Sequence, residues 1–130
     1  MKYRRECHSI TLLYTHLVYV TKYRQNLFNL EHLNRIREVF NGVAKKMNFK
    51  VVEFNGESNH VHILIEYPPK LSISQITNSL KGVSSRYLRK EYPELKKYKA
   101  LWSPSYFAVS SGGCPIETLK EYIQNQKKPS

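Results

Sequence analysis

The stretch Asn59-His60-Val61-His62-Ile63-Leu64-Ile65-Glu66 constrains the fold of this chain more than any other. Side chains alternate along a strand with a period of two. One face of such a strand carries Val61, Ile63, Ile65 and Tyr67, all apolar or aromatic, and must cover a core. The other carries His60, His62, Leu64 and Glu66. Its two imidazoles stand about 7 Å apart along the backbone, at the usual rise per strand residue, close enough for both to reach one metal ion. Phe49 to Phe54 forms a second strand just before it, and Asn55-Gly56 is a strong turn signal, so the two segments pair as a hairpin. Pro68-Pro69 ends the hairpin.

The flanking segments complete a recognisable order. Ser9 to Thr21 is rich in Ile, Leu, Val, Thr and Tyr, as strands are, with His16 inside it. The basic, aromatic cluster Lys22-Tyr23-Arg24 follows. Asn29 caps a helix over Leu30 to Met47, where Leu33, Ile36, Phe40, Val43 and Met47 make one buried stripe. Ser72 and Gln75 form a capping box for a second helix, which runs to about Tyr92 before Pro93. Its Ile73, Ile76, Leu80, Val83 and Tyr87 gather on one side, and Lys81, Arg86, Arg89 and Lys90 on the other. A fourth strand spans Trp102 to Val109, interrupted at Pro104. After the Ser110-Ser111-Gly112-Gly113 turn, Pro115 opens a last helix with a stripe of Ile116, Leu119 and Ile123. Tyr122 and Gln126, four residues apart, share a face at the edge of that stripe. The order β-α-β-β-α-β, then α, predicts an α+β protein of the split βαβ, ferredoxin-like type, an antiparallel sheet with both long helices on one face. With no repeat, low-complexity tract or linker, residues 1–130 form one domain.

Charge narrows the partner. Twenty-one Lys and Arg against ten Asp and Glu leave a net +11, which favours a polyanion and nucleic acid first. Ten tyrosines interleaved with basic residues suit stacking on unpaired bases, although most tyrosines serve a core or its rim. Lys22, Arg24, Lys81, Arg86, Arg89 and Lys90 are the candidate phosphate contacts; the plainer reading of each is a solvated surface charge. Cys7 and Cys114 have no metal-finger spacing and read as reduced thiols. The basic N-terminus lacks a clean apolar run and nothing reaches transmembrane length, so a cytoplasmic protein is expected.

Two histidines at i and i+2 on a strand can ligate a metal, or can be structural imidazoles. Glu66 is too far along to be a third ligand. Tyr122 adds a phenol, which acts as a covalent nucleophile once its target is polarised. A basic protein with a metal and a tyrosine suits phosphodiester cleavage. Attack by tyrosine, unlike attack by water, conserves the phosphodiester energy, so strands can be rejoined without ATP. By ligand type two imidazoles favour Mn²⁺, Zn²⁺ or Ni²⁺, while amide and phosphate oxygens also accept Mg²⁺.

Over nearly its whole length the chain resembles the single-tyrosine HUH transposases of the IS200/IS605 insertion sequences. The resemblance is carried by His16-Leu17-Val18-Tyr19-Val20-Thr21-Lys22-Tyr23-Arg24, by His60-Val61-His62, by Lys81-Gly82-Val83-Ser84-Ser85-Arg86, by Leu101-Trp102-Ser103-Pro104-Ser105-Tyr106-Phe107, by Gly112-Gly113 and by Tyr122-Ile123-Gln124-Asn125-Gln126. It implies that His60, His62 and Gln126 hold Mg²⁺ or Mn²⁺. It implies that Tyr122 is the nucleophile, forming a 5′-phosphotyrosine and releasing a 3′-OH. The substrate it implies is single-stranded DNA with a hairpin at each transposon end. It also implies a homodimer with joined sheets, in which the tyrosine helix of one subunit completes the histidine pair of the other. Many relatives place Asp before the first histidine, where this chain has Asn59, a change that bears on the hydrogen bonding of His60. Two other readings are a non-catalytic single-stranded RNA- or DNA-binding module, and a metal-dependent nuclease that uses water.

Overall fold

The computed structural model of the chain describes residues 11–110. The expected last helix with Tyr122 and Gln126, and both cysteines, lie outside the described residues. The elements are β1 (Leu13–Val20), α1 (Leu30–Met47), β2 (Lys50–Glu57), β3 (His60–Tyr67), α2 (Ile73–Glu91) and β4 (Phe107–Ser110). Short 3₁₀ turns at Lys22–Arg24 and Pro93–Leu95 follow β1 and α2. The strands lie in the order β2-β3-β1-β4, every neighbour antiparallel. This is the expected α+β, split βαβ arrangement.

Both long helices begin where their caps dictate. Asn29 accepts from the His32 amide while the His32 ring accepts from the Asn29 amide; Ser72 and Gln75 make the same reciprocal pair. Asn48, at φ 66°, closes α1 in the left-handed conformation, and Pro93 follows α2. Both helices cover the face of the sheet that carries Leu17, Tyr19, Val61, Ile63, Ile65 and Tyr67, and Ile36, Phe40, Ile76, Leu80 and Leu88 fill the space between. The buried side of α2 is rotated from the expected stripe. It runs through Ile76, Thr77, Leu80, Ser84 and Leu88, while Tyr87 is exposed. Two polar residues belong to it because each is satisfied there. Thr77 Oγ1 lies 2.8 Å from Tyr19 Oη, and Ser84 Oγ donates to the Leu80 carbonyl and accepts from the Trp102 indole N–H.

The hairpin turn falls at Ser58-Asn59 and not at Asn55-Gly56, which continue β2 opposite His62 and Val61. Gly56 has a tertiary reason instead: a Cβ there would stand 2.7 Å from Leu33 Cδ2 and 3.2 Å from Val61 Cγ1. The glycine lets α1 approach the sheet. A bulge between Val51 and Glu53 inserts one residue, so Val51 and Phe54, three apart, both pack on the core. The expected fourth strand is divided. Trp102 makes one bridge to Thr21, residues 103–106 leave the sheet, and β4 then pairs with β1 from Val18↔Phe107 to Thr15↔Ser110. Among the described residues no helix is long and apolar enough to cross a membrane.

Overpacking at Gly56 gives the first prediction. Gly56→Val should cost about 1–3 kcal/mol. Gly42→Ala, on α1 with nothing near its added methyl, should gain about 0.5–1 kcal/mol. Urea unfolding of the two variants measures both.

Candidate metal centre and nucleic-acid interface

The alternation of β3 turns His60 and His62 away from the helices. The register sets Val20 opposite His60, Val18 opposite His62 and His16 opposite Leu64, so His16 shares the histidine face from the neighbouring strand. All three imidazoles are buried, at 1–2% exposure. The His60 and His62 rings meet edge to face, with centroids 4.8 Å apart. The His16 and His62 rings are nearly parallel, at 18°, with His16 Nε2 3.4 Å from His62 Nδ1. Glu66 is turned to β1, where it accepts from the Tyr14 hydroxyl at 2.6 Å. Among the described residues no group of three or more His, Cys, Asp and Glu side chains is placed to hold a metal.

The electronic state of the pair suits metal ligation. Burial holds His62 down to about 4, with the neighbouring charges of His60 and His16 adding to it, and burial also lowers His16. At neutral pH His62 therefore keeps its lone pair, as a metal ligand must. Asn59 Oδ1 lies 2.8 Å from His60 Nδ1. That oxygen accepts, with the His60 Nδ1–H as donor. His16 Nε2 and His62 Nδ1 share the contact on the other side, and the buried His62 Nε2 has no hydrogen-bond partner among the described residues. A metal ion would satisfy that nitrogen. Asn59 thus makes a direct side-chain contact to the His60 ring. His16 was legible in the sequence only as an interruption in an apolar strand; the register is what brings it to His62.

The expected phosphate contacts divide between two places. Lys22 and Arg24 lie in the loop after β1, where Thr21 N–H donates to the Asn59 carbonyl at 2.9 Å, beside the histidines. Lys81, Arg86, Arg89 and Lys90 lie on α2, in the helical layer on the far face of the sheet. Arg86 and Lys90 are exposed. Lys81 is half-buried, and its ammonium donates to the Ser103 and Ser105 carbonyls at 2.7 and 2.9 Å. Burial lowers its pKa. It holds the loop before β4. Arg89 is half-buried too, with a buried Nε that has no hydrogen-bond partner among the described residues. A cleft of about 510 Å³ between the helices is lined by Lys45, Lys46, Arg86 and Tyr87 among others, and lies away from the histidines.

If Asn59 and His16 orient the ligands, Asn59→Ala and His16→Ala should each weaken Mn²⁺ binding about ten- to a hundredfold. Asn59→Asp should preserve it, and His62→Ala should abolish it. Titration calorimetry of the full chain reads all four.

The family described as "Transposase IS200 like" matches residues 9–126. The transposase for insertion sequence element IS200 of Salmonella typhimurium is 31% identical over 114 residues, which cover 85% of this chain and 74% of that protein. The ISDra2 transposase TnpA of Deinococcus radiodurans is 27% identical over 114 residues, 85% of this chain and 81% of that one. Among solved structures, a transposase from Deinococcus radiodurans R1 superposes with a TM-score of 0.73 at 27% identity, covering 90% of this chain and 92% of that chain. A REP-associated tyrosine transposase, solved bound to a REP hairpin, superposes with a TM-score of 0.64 at 11% identity over 85% of this chain and 62% of its own. That second likeness is one of fold. The matched region takes in the sheet, the histidine pair and the loop beside it, and the chain belongs to the IS200-like transposase family.

Proposed function

We propose that this transposase cleaves and rejoins hairpin-bearing single-stranded DNA through a 5′-phosphotyrosine on Tyr122. The observation that carries the reading is the buried pair His60 and His62, with His62 neutral at pH 7 and its Nε2 unpartnered among the described residues, in a chain of this family. The neutral His62 beside His60 fits a divalent ion, and Gln126 is the third ligand we assign, with Mg²⁺ or Mn²⁺ as the ion. When bound, such an ion withdraws charge from a phosphodiester and helps position it.

The chemistry of the chain itself is a transesterification. The Tyr122 phenol gives up its proton and its oxygen forms a bond to phosphorus as the bond to the 3′-oxygen breaks. The 3′-oxygen takes up a proton and leaves as a 3′-OH. Rejoining reverses the step: a 3′-OH attacks the phosphotyrosine and Tyr122 is released. No bond energy is lost to hydrolysis, so no nucleotide cofactor is required. The net charge of +11 supports the polyanionic substrate. The fold is also one on which another tyrosine transposase holds a REP hairpin.

On the described histidine face we assign His60 and His62 as ligands, while the phenol on that face, Tyr14, is engaged in donating to Glu66. We assign the rest to the Tyr122 helix of a second copy, so that each site is shared across a dimer. In support, β4 is an edge strand among the described residues, and its Phe107 and Val109 are exposed at 50% and 39%.

A denaturing gel with end-labelled hairpin DNA and Mn²⁺ tests the chemistry. A covalent adduct should form with the natural chain and be absent in Tyr122→Phe and in His60→Ala. Cleavage that survives Tyr122→Phe would identify water as the nucleophile, and no cleavage of a genuine end sequence would identify a binding module. Mixing the two inactive variants tests the sharing. Heterodimers should regain adduct formation at one site in two, and failure of this complementation would place Tyr122 and His60 of one chain in the same site.

A further inference from the structure

Tyr23 is the most exposed large hydrophobic side chain of the described region, at 81%. It also occupies an unfavourable backbone conformation. Its φ is 59° and that of Arg24 is 55°, two consecutive left-handed residues neither of which is glycine. An L side chain with a Cβ resists this region, and such strain persists only where the surroundings enforce it. Here they do. Thr21, fully buried, donates from its hydroxyl to the Gln25 carbonyl at 2.6 Å and from its amide to the Asn59 carbonyl. Lys22 N–H donates to the Leu101 carbonyl and Arg24 N–H to the Thr21 carbonyl, each at 2.9 Å. The loop is therefore held in shape with an aromatic ring presented to solvent and no core contact to account for it.

The surroundings of that ring have one chemical character. Tyr23 lines a shallow cavity of about 220 Å³ with Lys22, Lys97, Tyr98 and Lys99. Lys22 Nζ stands 5.7 Å from the Tyr23 centroid, and Lys97 Nζ stands 5.4 Å from that of Tyr98. Two tyrosine faces among three ammonium groups suit a flat, electron-rich ring joined to phosphate, and no acidic side chain among the described residues lines the cavity. The position matters as well. Asn59, whose carbonyl anchors this loop, is the residue whose side chain orients His60. A nucleotide held here would lie on the loop that Asn59 ties to the histidine strand, and not on the helical layer.

We propose that Tyr23 is a stacking platform for one unpaired base of the single strand that flanks the cleaved phosphodiester, with Lys22, Lys97 and Lys99 pairing its phosphates. This rests on the single-stranded DNA reading above and assigns a base-holding site that the transfer chemistry itself does not require.

The test scans 2-aminopurine through the single-stranded flank of a hairpin oligonucleotide and measures its quenching and the binding affinity with the full chain. The natural protein should quench one flank position strongly. Tyr23→Ala should lose that quenching and bind about five- to a hundredfold more weakly, the range stacking on one base supplies. Tyr23→Phe and Tyr23→Trp should retain both. Tyr23→Gly removes the ring and relieves the backbone, so it should bind as weakly as Tyr23→Ala while its Tm stays level or rises; weak binding with a lowered Tm would point to misfolding and overturn the proposal. Unchanged quenching and affinity in Tyr23→Ala, with a natural protein that binds and forms the Tyr122 adduct, would overturn the platform alone. A natural protein that neither binds the strand nor forms the adduct would remove the DNA reading and the platform with it.

Discussion

On the two central strands, Val18 faces His62 and His16 faces Leu64. This antiparallel register decides which side chains share a face across the middle of the sheet, and a slip of one residue would exchange the faces of one strand. As set, Leu17 and Tyr19 join Val61, Ile63 and Ile65 against the helices, while His16 joins His60 and His62 on the opposite side. Core and candidate site are thus two readings of one ladder. The apolar face holds the register by burial, and the register in turn brings a histidine from β1 to one from β3, residues forty-six apart in the chain.

The outer strand achieves a similar end less regularly. β2 must lay both Val51 and Phe54 on the core, and an odd spacing forbids this in a regular strand. The bulge between them restores it. Farther along, Gly56 brings the strand beneath Leu33 of α1. Both devices hold the hairpin that turns at Asn59, and Asn59 is where the strands, the loop after β1 and the His60 ring are tied together.

Much of this was legible from residue order. Asn29 and Ser72 placed the helix starts because capping is a local interaction, and the alternation from His60 to Tyr67 identified its strand and the two faces. What was illegible depended on contacts between distant segments. Asn55-Gly56 has the composition of a turn, but its glycine answers to a helix packed above it. Ser84 and Thr77 look like surface residues on a helical wheel, yet the Trp102 indole and the Tyr19 hydroxyl satisfy them inside. Lys81 has the composition of a phosphate contact, and its ammonium is engaged by two loop carbonyls. His16 and Tyr23 could be seen in the sequence but not interpreted, since the meaning of one lies in strand register and of the other in a backbone angle. Tyr122 and Gln126 stand on the family resemblance and on the chemistry assigned to them.

The two borders of the sheet are unlike. β2 carries the bulge together with Lys50, Glu53, Asn55 and Glu57, features that discourage another strand from docking alongside. β4 is short and carries Phe107 and Val109. Among the described residues, β4 is the border at which a further strand could extend the sheet. Two copies that meet there back to back would leave a guarded β2 at each end, so association would close at two and could not propagate into a fibre.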